Sequence, residues 1–126
     1  MMIRKAAILL VLALTSCDGP NGGELMFDLF TPNSDDGAIQ FTITVTPGYE
    51  MLDLEAACVG CRVFARPIDE RTTLGIVTGP IGGGALLRAV VSNPGRPAAY
   101  LTRVVEVSSR TYELRSTEGY RISVSR

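Results

Sequence analysis

Apolar and polar side chains alternate most regularly along residues 38–46, AIQFTITVT. Successive side chains of a strand point to opposite faces, so this period of two predicts a strand with one buried and one solvated face. Threonine and isoleucine also suit a pleated sheet. Residues 24–30, ELMFDLF, place Leu25, Phe27 and Leu29 on one side in the same way. Both segments are therefore predicted strands that contribute one face to a core.

Six further short strands are predicted downstream, with turn-forming glycine, proline and asparagine between them. They lie at about residues 49–56, 61–66, 71–78, 85–92, 99–108 and 119–125. No segment after residue 23 has a convincing helical period, although residues 109–116 could form one helical turn or a strand. Turns spaced by roughly 8–12 residues are typical of sandwiches and barrels. The pattern predicts an all-β fold, a single antiparallel β-sandwich of about eight or nine strands.

The predicted core consists of apolar residues on the inward sides of these strands, where two sheets share one apolar layer. They are Phe41, Ile43, Val45, Leu54, Val63, Leu74, Ile76, Leu87, Val91, Ile122 and Val124. Residues 99–108 are ambiguous, because Leu101, Val105 and Val107 share one side while Tyr100 and Val104 share the other.

The N-terminal residues predict a targeting segment ahead of the folded domain. Arg4 and Lys5 form a short positive start, and residues 6–14, AAILLVLAL, form an apolar run of nine. A membrane-spanning helix needs about 20 such residues. The run is therefore typical of the helix of a cleaved secretory signal peptide. Residues 14–17, LTSC, follow it and resemble the lipobox of bacterial lipoproteins.

The lipobox resemblance implies a lipid anchor on Cys17. It implies cleavage before Cys17, so that residues 1–16 are the signal peptide, and acylation of both the Cys17 thiol and its new amine. Two or more acyl chains hold a protein stably on a bilayer, whereas one holds it weakly. Residues 17–23 then form the lipidated cysteine and a tether, and residues 24–126 form the folded domain. The alternative is an ordinary secreted protein with a chance cysteine.

The lipid bilayer, reached through acylated Cys17, is thus one expected partner, and the cell envelope is the expected location. Asp18 resembles an inner-membrane retention signal of enteric bacteria, but inner or outer membrane, and a periplasm-facing or surface-exposed position, stay open. Loss of residues 1–16 leaves ten arginines against thirteen acidic residues. Scattered arginines in an acidic chain do not provide the basic footprint that nucleic acid needs.

Cys58 and Cys61, in the sequence CVGC, allow three interpretations. A structural disulfide is favoured in an oxidising envelope, where so small a loop adds about 2 kcal/mol of stability. A redox-active dithiol is the second, and Arg62 could stabilise its thiolate, but no βαβ pattern surrounds it. Metal or haem is the third. It is opposed by Arg62 at the haem-motif histidine position and by a chain without histidine.

The lack of histidine removes Ser-His-Asp and Cys-His catalysis, so the protein is predicted not to be an enzyme. The acidic pairs Asp35–Asp36, Asp53/Glu55 and Asp69–Glu70 are interpreted as solvated turn or edge residues. Residues 33–37, NSDDG, do not fit an EF-hand calcium loop, because proline and isoleucine fall at ligand positions. No catalytic residue, metal site or cofactor is predicted.

Two remaining features are weak candidates for binding. The glycine run 82–84 lacks the Lys-Ser/Thr of a phosphate loop and is predicted to be a hairpin connection. Tyr49, Tyr100, Tyr112 and Tyr120 could line a sugar-binding face, although tyrosines in sandwiches more often pack half-buried.

Three blocks of the chain carry a family resemblance: residues 31–44, TPNSDDGAIQFTIT, residues 75–91, GIVTGPIGGGALLRAVV, and residues 100–124, YLTRVVEVSSRTYELRSTEGYRISV. Together they resemble a group of small lipoproteins of uncharacterised function, from GC-rich Gram-negative bacteria, with a cohesin-like β-sandwich. The resemblance implies a cohesin-like or immunoglobulin-like sandwich of about nine strands and no enzymatic activity. Cohesins bind dockerin modules, but no residue of this chain supports assigning it the same partner.

The resulting hypothesis is a membrane-anchored lipoprotein whose sandwich is a non-catalytic binding or structural module of the envelope, with an unidentified protein or glycan partner. Two alternatives belong to other classes. One is a periplasmic thiol-disulfide protein that uses Cys58 and Cys61, and the other is a surface carbohydrate-binding module.

Overall fold

A computed structural model describes residues 22–126, so the expected signal segment and Cys17 lie outside the described residues. Within residues 22–126 the chain forms nine strands and one 3-10 turn, at Pro97–Ala99. The strands are β1 (Gly23–Phe30), β2 (Asp36–Val45), β3 (Met51–Ala56), β4 (Arg62–Pro67), β5 (Thr72–Ile81), β6 (Gly84–Val91), β7 (Tyr100–Ser109), β8 (Leu114–Arg115) and β9 (Arg121–Ser125). None of the described residues belongs to a helix long and apolar enough to cross a bilayer.

The strands form two antiparallel sheets that share one core. The four-stranded sheet has the order β3-β6-β1-β9, and the five-stranded sheet has the order β4-β5-β2-β7-β8. Apolar side chains of β1 and β6 from one sheet and of β2 from the other belong to a single buried cluster. The predicted all-β sandwich and its strand number are confirmed.

Most connections cross from one sheet to the other. Among the nine described strands, only the β4–β5 and β7–β8 connections join neighbours within a sheet. The glycine run 82–84 was predicted to be a hairpin, and that prediction was wrong. Ile81, before it, pairs with Asp36 in the five-stranded sheet, whereas Gly84 pairs with Leu29 in the four-stranded sheet.

The alternating patterns predicted the core correctly in most strands. The predicted core residues Phe41, Ile43, Val45, Leu87, Val91 and Ile122 are buried, as are Leu25, Phe27 and Leu29. Leu54, Val63 and Val124 pack against this core from partly buried positions.

The inward side of β5 differs from the prediction. Leu74 and Ile76 lie on the outer face, opposite Thr42 and Gln40 of β2. Gly75 lies opposite Phe41, and a Cβ atom at Gly75 would lie only 2.8 Å from Phe41 Cε1. The phenylalanine ring occupies the space that an inward side chain of residue 75 would need, so the larger neighbouring residues face outward.

A β-bulge explains why apolar residues occur on both sides of the pattern of β7. Phe41 pairs with Val104 and Gln40 pairs with Glu106, which leaves Val105 as the extra residue. A bulge shifts the side-chain alternation by one residue. Tyr100 therefore faces the core before the bulge, and Val107 faces it afterwards.

The two ends of the sandwich are distinct. We call the end where β1 begins the proximal end; Gly23 pairs there with Val91 and lies against the connection at Pro94. We call the opposite end, where the chain leaves β1 after Phe30 and enters β2 at Asp36, the distal end.

Candidate functional site

A buried carboxylate lies at the distal end. Asp36 is 0% exposed, which overturns its interpretation as a solvated turn residue. Tyr120 Oη donates to Asp36 Oδ1 at 2.7 Å, and Arg115 Nη1 donates to the same oxygen at 3.1 Å. Thr31 Oγ1 donates to Asp36 Oδ2 at 2.7 Å. Burial of a carboxylate is tolerated here because both oxygens are hydrogen-bonded and a cation is adjacent.

The β1–β2 connection supplies further members of this cluster. The hydroxyl of Thr31 accepts a hydrogen bond from the Asn33 backbone amide at 3.0 Å, which folds the connection into a tight turn. The Asn33 side-chain amide then donates to Tyr120 Oη at 2.8 Å. The phenol therefore accepts from Asn33 and donates to Asp36.

Arg115 also holds the neighbouring carboxylate. Its Nη1 lies 2.7 Å from Asp35 Oδ1, and its Nη2 donates to Asp35 Oδ2 at 2.9 Å. This two-pronged geometry is the strongest form of an arginine–carboxylate pair. The hydrogen bonds from Arg115 lower the pKa of Asp35 below its ordinary value of 3.8. Those same bonds to Asp35 raise the pKa of Arg115.

We call these residues, Thr31, Asn33, Asp35, Asp36, Arg115 and Tyr120, the Asp36 cluster. It joins the two sheets, because Asp36 and Arg115 belong to the five-stranded sheet while Thr31 and Tyr120 flank strands of the four-stranded sheet. A polar cavity of about 350 Å³ lies beside it. The arrangement fixes the distal connections relative to each other.

Arg115 is hydrogen-bonded to Asp35 and Asp36, the carboxylates that a calcium ion would need as ligands. Within residues 22–126 no group of three or more cysteine or acidic side chains is placed to hold a metal ion. The sequence gives no sign that Arg115 and Tyr120 contact Asp36, because they lie about eighty residues beyond it in the chain, and Tyr120 was considered only as a possible sugar-binding residue. The only local signal was two adjacent acidic residues ahead of a strand.

Cys58 and Cys61 form the predicted disulfide, with Cα atoms 5.4 Å apart. It closes the turn that leads from β3, at the edge of one sheet, to β4, at the edge of the other. The turn packs against Gly79 of β5, whose φ is +137° and where a Cβ atom would lie 2.9 Å from Cys61 Cα. Both cysteines pack against the core from partly buried positions. The disulfide therefore links the two edge strands locally.

The four tyrosines do not share a face. Tyr49 and Tyr100 pack edge to face at the proximal end, with ring centroids 6.1 Å apart. Tyr120 is buried in the Asp36 cluster, and Tyr112 is 90% exposed at the turn between β7 and β8. They do not form the common platform that stacking on a sugar would require.

The other acidic pairs occupy turn and surface positions, as predicted. Asp69 Oδ1 accepts hydrogen bonds from the Arg71 and Thr72 amides, each at 2.8 Å, in the β4–β5 turn. These backbone hydrogen bonds lower the pKa of Asp69. Asp53 and Glu55 are exposed on β3, where Glu55 pairs with Arg88 at 3.0 Å.

Comparison with known proteins finds no matching family model, curated protein or solved structure. The resemblance to lipoproteins with a cohesin-like domain therefore stays a hypothesis.

Proposed function

We propose that this chain is a bacterial lipoprotein, anchored to an envelope membrane through acylated Cys17. Its β-sandwich is a non-catalytic binding or structural module that faces the periplasm or the cell surface. The proposal depends on one observation. Residues 4–17 contain, in this order, a charged start, an apolar run, small residues and a cysteine.

The position of Gly23 is compatible with this anchor. Strand β1 begins there, six residues beyond Cys17. Six extended residues span at most about 20 Å. A tether of that length would hold the proximal end close to the bilayer and direct the Asp36 cluster away from it.

The disulfide supports an oxidising location. Disulfides persist in the periplasm and at cell surfaces, and they are rare in the reducing cytosol. The Cys58–Cys61 bond closes a turn between two strands, so it fits a structural role in an envelope domain. It does not require that the two cysteines take part in thiol exchange.

The Asp36 cluster supports a binding or structural role at the distal end. Loops that bind partners are usually held by a rigid scaffold. Here one buried carboxylate connects the β1–β2 loop to Arg115 and Tyr120, which flank the loop before β9. The loops furthest from the proposed anchor are therefore held in one arrangement.

Membrane fractionation of a bacterium that produces the full chain tests the proposal. The wild-type chain should sediment with membranes and enter the detergent phase, whereas Cys17→Ser should lose both properties. A matched variant, Cys58→Ser with Cys61→Ser, also replaces cysteines but should stay with the membranes. Membrane association of Cys17→Ser equal to wild type would contradict the anchor.

A further inference from the structure

The outer face of the four-stranded sheet is acidic. Side chains that alternate with the buried Leu25, Phe27 and Leu29 place Glu24 and Asp28 on this face. The register with β6 adds Asp53 opposite Val90 and Glu55 opposite Arg88. We call this surface the acidic face: its charged residues are Glu24, Asp28, Asp53, Glu55, Arg88 and Arg121.

The two arginines of the acidic face are already engaged. Arg88 pairs with Glu55 at 3.0 Å and lies 3.9 Å from Glu24. Arg121 lies over the ring of Phe30, 4.4 Å from its centroid. Four carboxylates against two guanidinium groups leave this face with an excess of negative charge. Met26 lies half-buried at its centre, between Arg88 and Ser125.

The outer face of the five-stranded sheet carries the opposite charge. The strand register aligns Arg66, Leu74, Thr42 and Arg103 in one row across four strands. The next row aligns Phe64, Ile76, Gln40 and Glu106, and Arg62 follows on β4. We call this surface the basic face: its charged residues are Arg62, Arg66, Arg103 and Glu106.

The arginines of the basic face are free to meet a partner. Across residues 22–126, no carboxylate lies within ion-pair distance of Arg62, Arg66 or Arg103. Phe64 is 56% exposed beside them, and it lines a shallow groove of about 270 Å³ together with Leu74 and Ile76. The face thus combines arginines with an exposed aromatic side chain, and both residue types are enriched at protein interfaces.

Direct edge-to-edge pairing of two β4 strands is disfavoured. An antiparallel pair centred on Phe64 would place Arg62 of one copy opposite Arg66 of the other. Like charges directly opposite across a strand pair are destabilising. The proline at residue 67 also interrupts the free edge. A second copy would therefore meet this region through the face of the sheet.

We propose that two copies of this chain associate by stacking the acidic face of one on the basic face of the next. The contact is heterologous, so it repeats, and it forms an open row where successive copies are related by translation without a closing rotation. Copies related by translation keep their proximal ends on the same side, as copies on one membrane would require. The inference does not depend on the anchor, because the two faces belong to the folded domain.

The contact is small. Four strands about 4.8 Å apart, six residues long at about 3.3 Å each, give a planar area on the order of 400 Å². Standard interfaces bury about 800 Å² per partner. The association is therefore weak in dilute solution, and crowding on a surface would strengthen it through effective concentration.

Cysteine crosslinking tests the stacking in membranes of a bacterium that produces the full chain. Met26→Cys marks the centre of the acidic face and Thr42→Cys marks the centre of the basic face. Mild oxidation should join the two single variants into dimers when they are produced together. Either variant produced alone should stay monomeric.

Charge reversal separates a specific contact from random collision. Arg66→Glu with Arg103→Glu, added to the Thr42→Cys chain, should reduce the crosslinked dimer at least about tenfold, because like charges then face each other. Adding Asp28→Arg with Asp53→Arg to the Met26→Cys chain should restore the crosslinked dimer, because opposite charges then face each other again. A restored dimer would also show that both charge-reversed variants fold.

Three results would overturn the inference: no dimer from the paired variants, a dimer from either single variant alone, or equal crosslinking after charge reversal. The absence of a dimer from the paired variants would indicate that the basic face binds an acidic partner other than a second copy of this chain. Crosslinking is scored in whichever cell fraction contains the chain, and the parent chain without an added cysteine is oxidised in parallel, so dimers formed through an unacylated Cys17 are recorded separately from failure of the stacking.

Discussion

At the scale of single residues, the Asp36 cluster is the least expected feature of this protein. A buried carboxylate is costly unless its charge and its oxygens are satisfied. Asp36 meets that condition through Thr31 of the β1–β2 connection and through Arg115 and Tyr120, which flank the connection before β9. The cluster therefore closes the distal end only in the folded state, and each of its hydrogen bonds can be tested individually.

Tyr120→Phe should lower the free energy of unfolding by about 2 kcal/mol, the size of a hydrogen bond to a charged group. The substitution removes the hydroxyl that donates to Asp36 and accepts from Asn33. Tyr112→Phe is the matched control, because that side chain is 90% exposed, and it should change stability by less than about 0.5 kcal/mol. Urea denaturation measures both; equal effects would contradict the role of Tyr120.

The ion pair of Asp35 predicts a specific dependence of stability on pH. The lowered pKa of Asp35 in the folded state means that its contribution is present above the unfolded pKa of about 4 and is lost as the pH falls through the folded value. Asp35→Asn should therefore be less stable than wild type at pH 6 and should lose less stability on acidification.

Urea midpoints measured from pH 6 to pH 2.5 test this expectation. Asp53→Asn is the control, because Asp53 is an exposed carboxylate on β3. An acid response of Asp35→Asn identical to that of wild type would show that the pair with Arg115 does not form in solution.

At the scale of elements, strands were predictable wherever one face alone is apolar. The alternation of β2 predicted its buried residues Phe41, Ile43 and Val45 directly. The inward side of β5 was not predictable, because it depends on the Phe41 ring and the space above Gly75. The bulge at Val105 likewise depends on the pairing of β7 with β2. Periodicity reveals a strand, but contacts with its neighbours determine its register.

Gly75→Ala tests this packing between elements. The added methyl would overlap the Phe41 ring, so the free energy of unfolding should fall by about 1–3 kcal/mol, the usual cost of overpacking. Gly82→Ala is the matched control, since nothing lies within 4 Å of its Cβ position. It should be neutral or stabilising by up to about 1 kcal/mol. Similar effects of both changes, measured by chemical denaturation, would contradict the assigned register of β5.

Removal of the disulfide should have a modest effect on the stability of this protein. Cys58→Ser with Cys61→Ser should lower the free energy of unfolding by about 2 kcal/mol, because the closed loop is short. Circular dichroism should still report a folded β-protein. Dithiothreitol should destabilise wild type by a similar amount and leave the double variant unchanged. Complete unfolding of the double variant would show that the disulfide does more than close a turn.

At the scale of the whole molecule, the sandwich is polarised in two directions. Along its length, β1 begins at the proximal end and the Asp36 cluster closes the distal end. Across its thickness, an acidic face opposes a basic face. Periodicity predicted the sandwich, but the charge separation appears only when the register aligns residues from several strands. We propose that the first direction orients the domain on a membrane and that the second relates neighbouring copies.

The central proposal, a lipid anchor on Cys17, is tested most directly by the intact mass of the chain purified from bacterial membranes. We predict that residues 1–16 are absent and that Cys17 is the first residue, with a diacylglyceryl group on its sulfur and an acyl group on its amine. A chain that retains residues 1–16, or one with an unmodified Cys17 thiol, would contradict the proposal.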